Sequence, residues 1–329
     1  MNSPYNMKER LEYVDIAKGL GILLVVCSHS DALDLMWLMM GMFVPIFYFC
    51  SGYTYSNKGT LKESMKKRAR RLLVPYIFFN VALFVAFWHF SVREIFGMLY
   101  SRYCLYPLYD TPNIKFLTSG NYPLWFLTSM VMTYFLFYLT VYFVRYKYVL
   151  LSLYAMASVA FTYSPILLPW SIDTAPLTAI VMYAGMECRK RDLMSINIIP
   201  VICLLLVYIG LQYVGGDMNL SVRMYGTSIA IYYVLAIFGS FIVLWCCKYL
   251  QGTIVGRCFL TLGKHSLTIF SIEIAFIVLA KDIWHWLFPS VALGYAAGVF
   301  EIFLAILGGW TVSVLLHKNT FLRQIAYGT

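Results

Sequence analysis

The sequence predicts an all-α integral membrane protein of about ten transmembrane helices with both termini cytoplasmic. Three observations carry that expectation. Of 329 residues, 61% are hydrophobic and only 12% charged, with a mean hydropathy of +0.74. A water-soluble domain of this length needs far more polar surface around its core. The apolar residues also gather into runs of about 20, the length that crosses a hydrocarbon core. Finally, the 25 Lys and Arg residues punctuate those runs one-sidedly.

The expected spans are 14–33, 36–56, 72–90, 123–144, 148–164, 174–188, 195–214, 228–247, 264–281 and 292–316. The first follows MNSPYNMKERLEYVD, which carries charges of both signs. No small-residue cleavage site follows the apolar run, so Ile16 onward reads as a retained span, not a signal peptide. The third follows a basic stretch from Lys58 to Arg71. The fifth and sixth are short, and Pro165 and Pro169 separate them; Gly215-Gly216 closes the seventh. The segment from Ser91 to Tyr122 is aromatic and Pro-rich (YCLYPLYDTPN) and reads as an ordered external loop. With a cytoplasmic N-terminus, the inside segments hold 20 basic residues, among them Lys8, Arg10 and Lys18. The outside segments hold 5: Arg93, Arg102, Lys115, Arg223 and Lys281. Residues 1–329 read as one membrane-embedded domain, with no sequence repeat.

The formal net charge of +10 is absorbed by this topology, so no nucleic-acid partner is expected; membrane lipids are. Eight cysteines lie mostly in apolar stretches (Cys27, Cys50, Cys203, Cys246, Cys247) without metal-ligand spacing. They read as small core residues, and no metal is expected.

The first span carries the most informative pattern. Eleven residues turn a helix through three turns plus 20°, so Lys18 and His29 share a face roughly 16 Å apart. Asp15 joins the same stripe, and Gly19 and Gly21 allow close helix packing. Ionisable groups so placed belong in a protein interior or a wet cavity. The bland alternatives are an interfacial Asp15–Lys18 pair and a packing histidine. Asp31 is two residues past His29 and points away in a continuous helix. Glu273 and Glu301, each inside an apolar span, are candidates to orient His29, and equally candidates for a structural pair with an interior cation.

Five motifs in chain order resemble the acyltransferase 3 family, and in style its fucose 4-O-acetylase-like branch. They are YVDIAKGLGILLVVCSH, FVPIFYFCSGY, KKRARRLLVPY, PLWFLTSM and LGKHSLTIFSIE, spread over residues 13 to 273. There are departures. Phe43-Val44 stands where many relatives have a histidine, His265 where Asn is usual, and Glu273 where the late segment often ends in histidine.

The resemblance implies transfer of an acyl group, usually acetyl, from a cytoplasmic acyl-CoA such as acetyl-CoA to a hydroxyl of a cell-envelope glycan or glycolipid. It assigns catalysis to His29 and Lys18, donor binding to Arg68, Arg71 and, more weakly, Ser51, and weak substrate contact to Trp125; Glu273, a departure from the family pattern, is added as a weak substrate-site candidate for its place inside an apolar span. An imidazole, with an ordinary pKa of about 6.5, can take the proton of a hydroxyl attacking a thioester; an acyl-histidine intermediate is the other route. Arg68 and Arg71, at i and i+3, can face one phosphate site together. On spacing alone they read as a positive-inside signal. Aromatics near Trp125 and from Tyr103 to Tyr109 are of a kind that stacks on sugars. The family implies the cytoplasmic membrane of a bacterium. A non-enzymatic polysaccharide or lipid exporter is the competing expectation, because ten spans with interior charges also build a wet path.

Overall fold

The computed structural model describes residues 11–32, 38–56, 59–88, 91–107, 113–117, 121–289 and 294–328. Lys8, Arg10, Lys58 and Tyr109, which figure in the expectations above, lie outside the described residues. The described chain is helical almost throughout. α1 (Glu12–His29), α2 (Pro45–Tyr53) and α3 (Leu61–Ala86) are followed by a short α4 (Val92–Tyr100). Then come α5 (Trp125–Tyr142), α6 (Lys147–Thr162), α7 (Ala175–Lys190) and α8 (Ile198–Gly215). A small antiparallel hairpin, β1 (Met218–Asn219) and β2 (Met224–Tyr225), precedes α9 (Ile229–Tyr249). α10 (Ile254–Leu287), α11 (Tyr295–Lys318) and α12 (Thr320–Tyr327) close the chain.

Each expected span meets a helix. Among the described residues, five segments are long and apolar enough to cross a membrane by length and composition: Leu61–Ala86, Tyr122–Tyr142, Ile198–Gly215, Ile229–Tyr249 and Tyr295–Lys318. α8 turns a whole apolar face outward, with Ile199, Leu206 and Tyr213 each at least 65% exposed. Water would not tolerate such a face, and lipid does. The chain is a multi-pass, all-α membrane protein.

The structure refines several elements. The second expected span is helical for only nine residues, after turns over 38–44. At 1.5 Å per residue that helix is roughly 14 Å long, under half a bilayer core. α3 starts at Leu61, not near 72, because the basic stretch is itself a good helix former and a Thr60–Glu63 capping box begins it. α10 runs 34 residues, well beyond the apolar 264–281, since no proline interrupts it and Thr253 caps its first turn. The segment expected to be external contributes the amphipathic α4, closed by Ser101 in the left-handed region.

Helices α1 and α10 set the geometry of everything that follows. They cross where glycine meets glycine. A Cβ at Gly19 would lie 1.9 Å from the Phe259 carbonyl oxygen, and one at Gly263 would lie 1.8 Å from that of Asp15. Only glycine allows two backbones this close. His29 stands ten residues after Gly19, and Glu273 ten after Gly263. Equal rises of about 15 Å along both helices bring the two residues to the same depth. Gly263→Ala is therefore expected to destabilise the protein by about 1–3 kcal/mol, as overpacking of a filled core does. A thermal-unfolding midpoint in detergent equal to that of wild type would contradict the crossing.

Candidate functional site

His29 ends α1, and its Nδ1 lies 2.9 Å from Glu273 Oε1 on α10. The imidazole is 25% exposed and the carboxylate fully buried. A carboxylate accepts only, so Nδ1–H donates and the lone pair is left on Nε2. Tyr122 packs edge-on against the ring at 5.7 Å. The imidazole lines a cavity of about 350 Å³. Aromatic rings dominate its wall: Phe43 just before α2 and Phe47 on it, Tyr103, Trp125 and Phe126, and Tyr232 and Phe270. Ser28, Asn219 and Ser221 add polar groups. A mostly apolar cavity of this size with a few converging polar groups suits one small ligand or one sugar ring.

The structure separates the two candidate carboxylates. Glu273 meets His29. Glu301, also buried, accepts the backbone N–H of Asp31 at 3.1 Å and lies 3.9 Å from the Lys281 ammonium. Asp31 itself pairs with Lys281 at 3.0 Å. The helix ends at His29, so Asp31 turns away into this second cluster.

Other expected site residues lie elsewhere. Lys18 pairs with Asp15 at 3.7 Å, near the α1–α10 crossing, and does not line the His29 cavity. Ser51 sits near the end of α2, one turn past Phe47 and outside the cavity lining. Trp125 is in the lining. Arg68 and Arg71 diverge: the Arg68 guanidinium lies 5.0 Å from the centre of the Tyr134 ring on α5. Arg71, with Lys66, Lys67 and Arg70, lines a mainly basic groove of about 380 Å³ that Glu63 and, after α12, Gly328 also line. Among the described residues no group of three or more His, Cys, Asp or Glu is placed to hold a metal ion.

Sequence reasoning missed the cavity wall formed by 218–222 and the buried ions behind it. Arg102 contacts Asp173, and Arg223 lies 3.3 Å from the same carboxylate. A signal was available. Arg102 and Arg223 are two of only five basic residues assigned outside, where the one-sided charge bias makes a cation unusual.

A family model described as an acyltransferase domain matches residues 11–318. No curated protein gives a significant match, and neither does any solved structure.

Proposed function

We propose a function from one premise: the chain belongs to the acyltransferase domain family. It is a membrane O-acyltransferase that moves an acetyl or other acyl group from acyl-CoA to a hydroxyl of an envelope glycan or glycolipid. Within the family its motifs sit nearest the fucose 4-O-acetylase-like branch. The membrane is the bacterial plasma membrane, with both termini cytoplasmic and ten crossings, the second made by α2 together with the turns over 38–44 before it. The observation that carries this reading is the His29–Glu273 pair on an aromatic cavity.

The chemistry follows from the pair. Glu273 holds Nδ1–H, so Nε2 takes the proton of the acceptor hydroxyl as its oxygen attacks the thioester carbon. The tetrahedral adduct collapses, the carbon–sulfur bond breaks, and the proton passes from Nε2 to the departing sulfur. CoA leaves as the free thiol and the acceptor as an ester. The aromatic wall, with Trp125, suits the apolar face of a sugar ring. The basic groove at Arg71 suits the donor's phosphates, and Arg68 stands one turn away on the same helix.

Purified protein with acetyl-CoA tests the reading. Free thiol should appear and should rise with a glycan acceptor. Arg71→Ala should raise the KM for acetyl-CoA roughly tenfold, as loss of a charge-assisted hydrogen bond does. Lys62→Ala, exposed in the first turn of α3, should leave it unchanged. Equal effects of the two would reduce the groove to a topology signal. Glycan movement across vesicles with no CoA consumed would favour the exporter instead.

A further inference from the structure

Three segments far apart in sequence meet behind one wall of the His29 cavity, joined by a buried ionic cluster. Arg102 follows α4, Asp173 precedes α7, and Arg223 sits between β1 and β2. Arg102 and Asp173 are fully buried, and the Arg223 side chain is 2% exposed. Arg102 pairs with one Asp173 oxygen and donates to the carbonyls of Leu168 at 3.0 Å and Ser221 at 2.7 Å. Arg223 lies 3.3 Å from the other oxygen and donates to the carbonyls of Ile166 at 3.1 Å and Ser164 at 2.6 Å. The Leu168 N–H donates to Asp173 at 3.3 Å.

Stability alone gives little reason to keep such a cluster. Burying three ions is costly, and well-packed apolar replacements are often neutral or better. Geometry gives a reason. Two rigid forks each fix several groups at once, and they pin three loops to one another. One of the pinned carbonyls belongs to Ser221, which lines the cavity beside Asn219 and Leu220.

We propose that Arg102, Asp173 and Arg223 are positioning residues for the acceptor. They fix the β1–β2 hairpin as the wall that holds the acceptor before His29, and so they set which hydroxyl is presented. The proposal rests on the acyl-transfer reading above. None of the three lines the basic groove, so loosening them changes acceptor use and spares donor use.

Arg223→Lys keeps the charge and loses the fork; Asp173→Asn keeps the shape and loses the charge. Both are assayed with acetyl-CoA and a set of methyl glycopyranosides. The expected result is a sugar KM at least tenfold higher and acetyl spread over more than one hydroxyl, with the acetyl-CoA KM within twofold of wild type. A fall in kcat alone, with sugar KM and acetylation position unchanged, overturns the proposal. A second readout needs no reaction. Ser28→Cys, on the cavity wall, is labelled with a bulky maleimide in an otherwise cysteine-free chain. Labelling should be at least fivefold faster in both variants, and unchanged rates overturn the fixed wall. If wild type consumes no acetyl-CoA with any glycoside, the acyl-transfer reading fails, and the labelling rates alone decide the wall.

Discussion

Replacing His29 by glutamine is expected to lower acyl transfer by about 10²–10⁴-fold, the usual contribution of a positioned general base. Glutamine is the informative substitution. It keeps an N–H able to donate toward Glu273, whereas alanine leaves a buried carboxylate without its partner, and breaking a buried pair is costly in itself. His29→Ala therefore mixes lost chemistry with lost stability, and His29→Gln isolates the chemistry. The acetyl-CoA KM should stay near that of wild type, since His29 does not line the basic groove. The comparison is turnover at matched membrane levels with equal thermal midpoints. Near-normal turnover by a well-folded His29→Gln would leave the imidazole a packing group.

Much of this architecture was legible because lipid imposes simple rules. A run of about 20 apolar residues is a helix wherever it crosses, so each expected span meets one, though α2 covers only nine residues of the second. The polar stripe on the first span was legible for the same reason: Gly19 marked a packing face, and the structure puts α10 on it. What lay beyond reach depended on depth and register between helices distant in sequence. Glu273 and Glu301 look alike in the sequence, each alone in an apolar run. The Gly19–Gly263 contact sets α10 at the height that gives Glu273 to His29, and the close approach of Gly298 on α11 to the Asp31–Ala32 backbone leaves Glu301 to Lys281 and the Asp31 N–H. Arg68 and Arg71 share a helix face by spacing, yet the ring of Tyr134 draws one of them toward α5. The cavity wall at 218–222 comes from loop packing, which has no period to read.

The second large effect is expected at Glu273. Its side chain is fully buried, and its Oε2 has no partner among the described residues. The residue therefore offers His29 one well-defined hydrogen bond and a negative charge. Glu273→Gln keeps the shape and removes the charge. Its amide can also turn and donate to Nδ1, which places the ring proton on Nε2, where a base must have none. Where a carboxylate orients a catalytic histidine in this way, the amide swap lowers turnover by about 10⁴-fold with the geometry intact. Glu273→Gln should approach that loss, and Glu273→Asp, charged but one methylene short, should fall between it and wild type. Glu301→Gln serves as the comparison, because Glu301 is also buried yet bonds Asp31 and faces Lys281. It should keep most of the turnover even where it lowers the thermal midpoint. If Glu273→Gln and Glu301→Gln lose activity only in proportion to stability, the carboxylate at 273 is a packing partner, and His29 draws no catalytic help from α10.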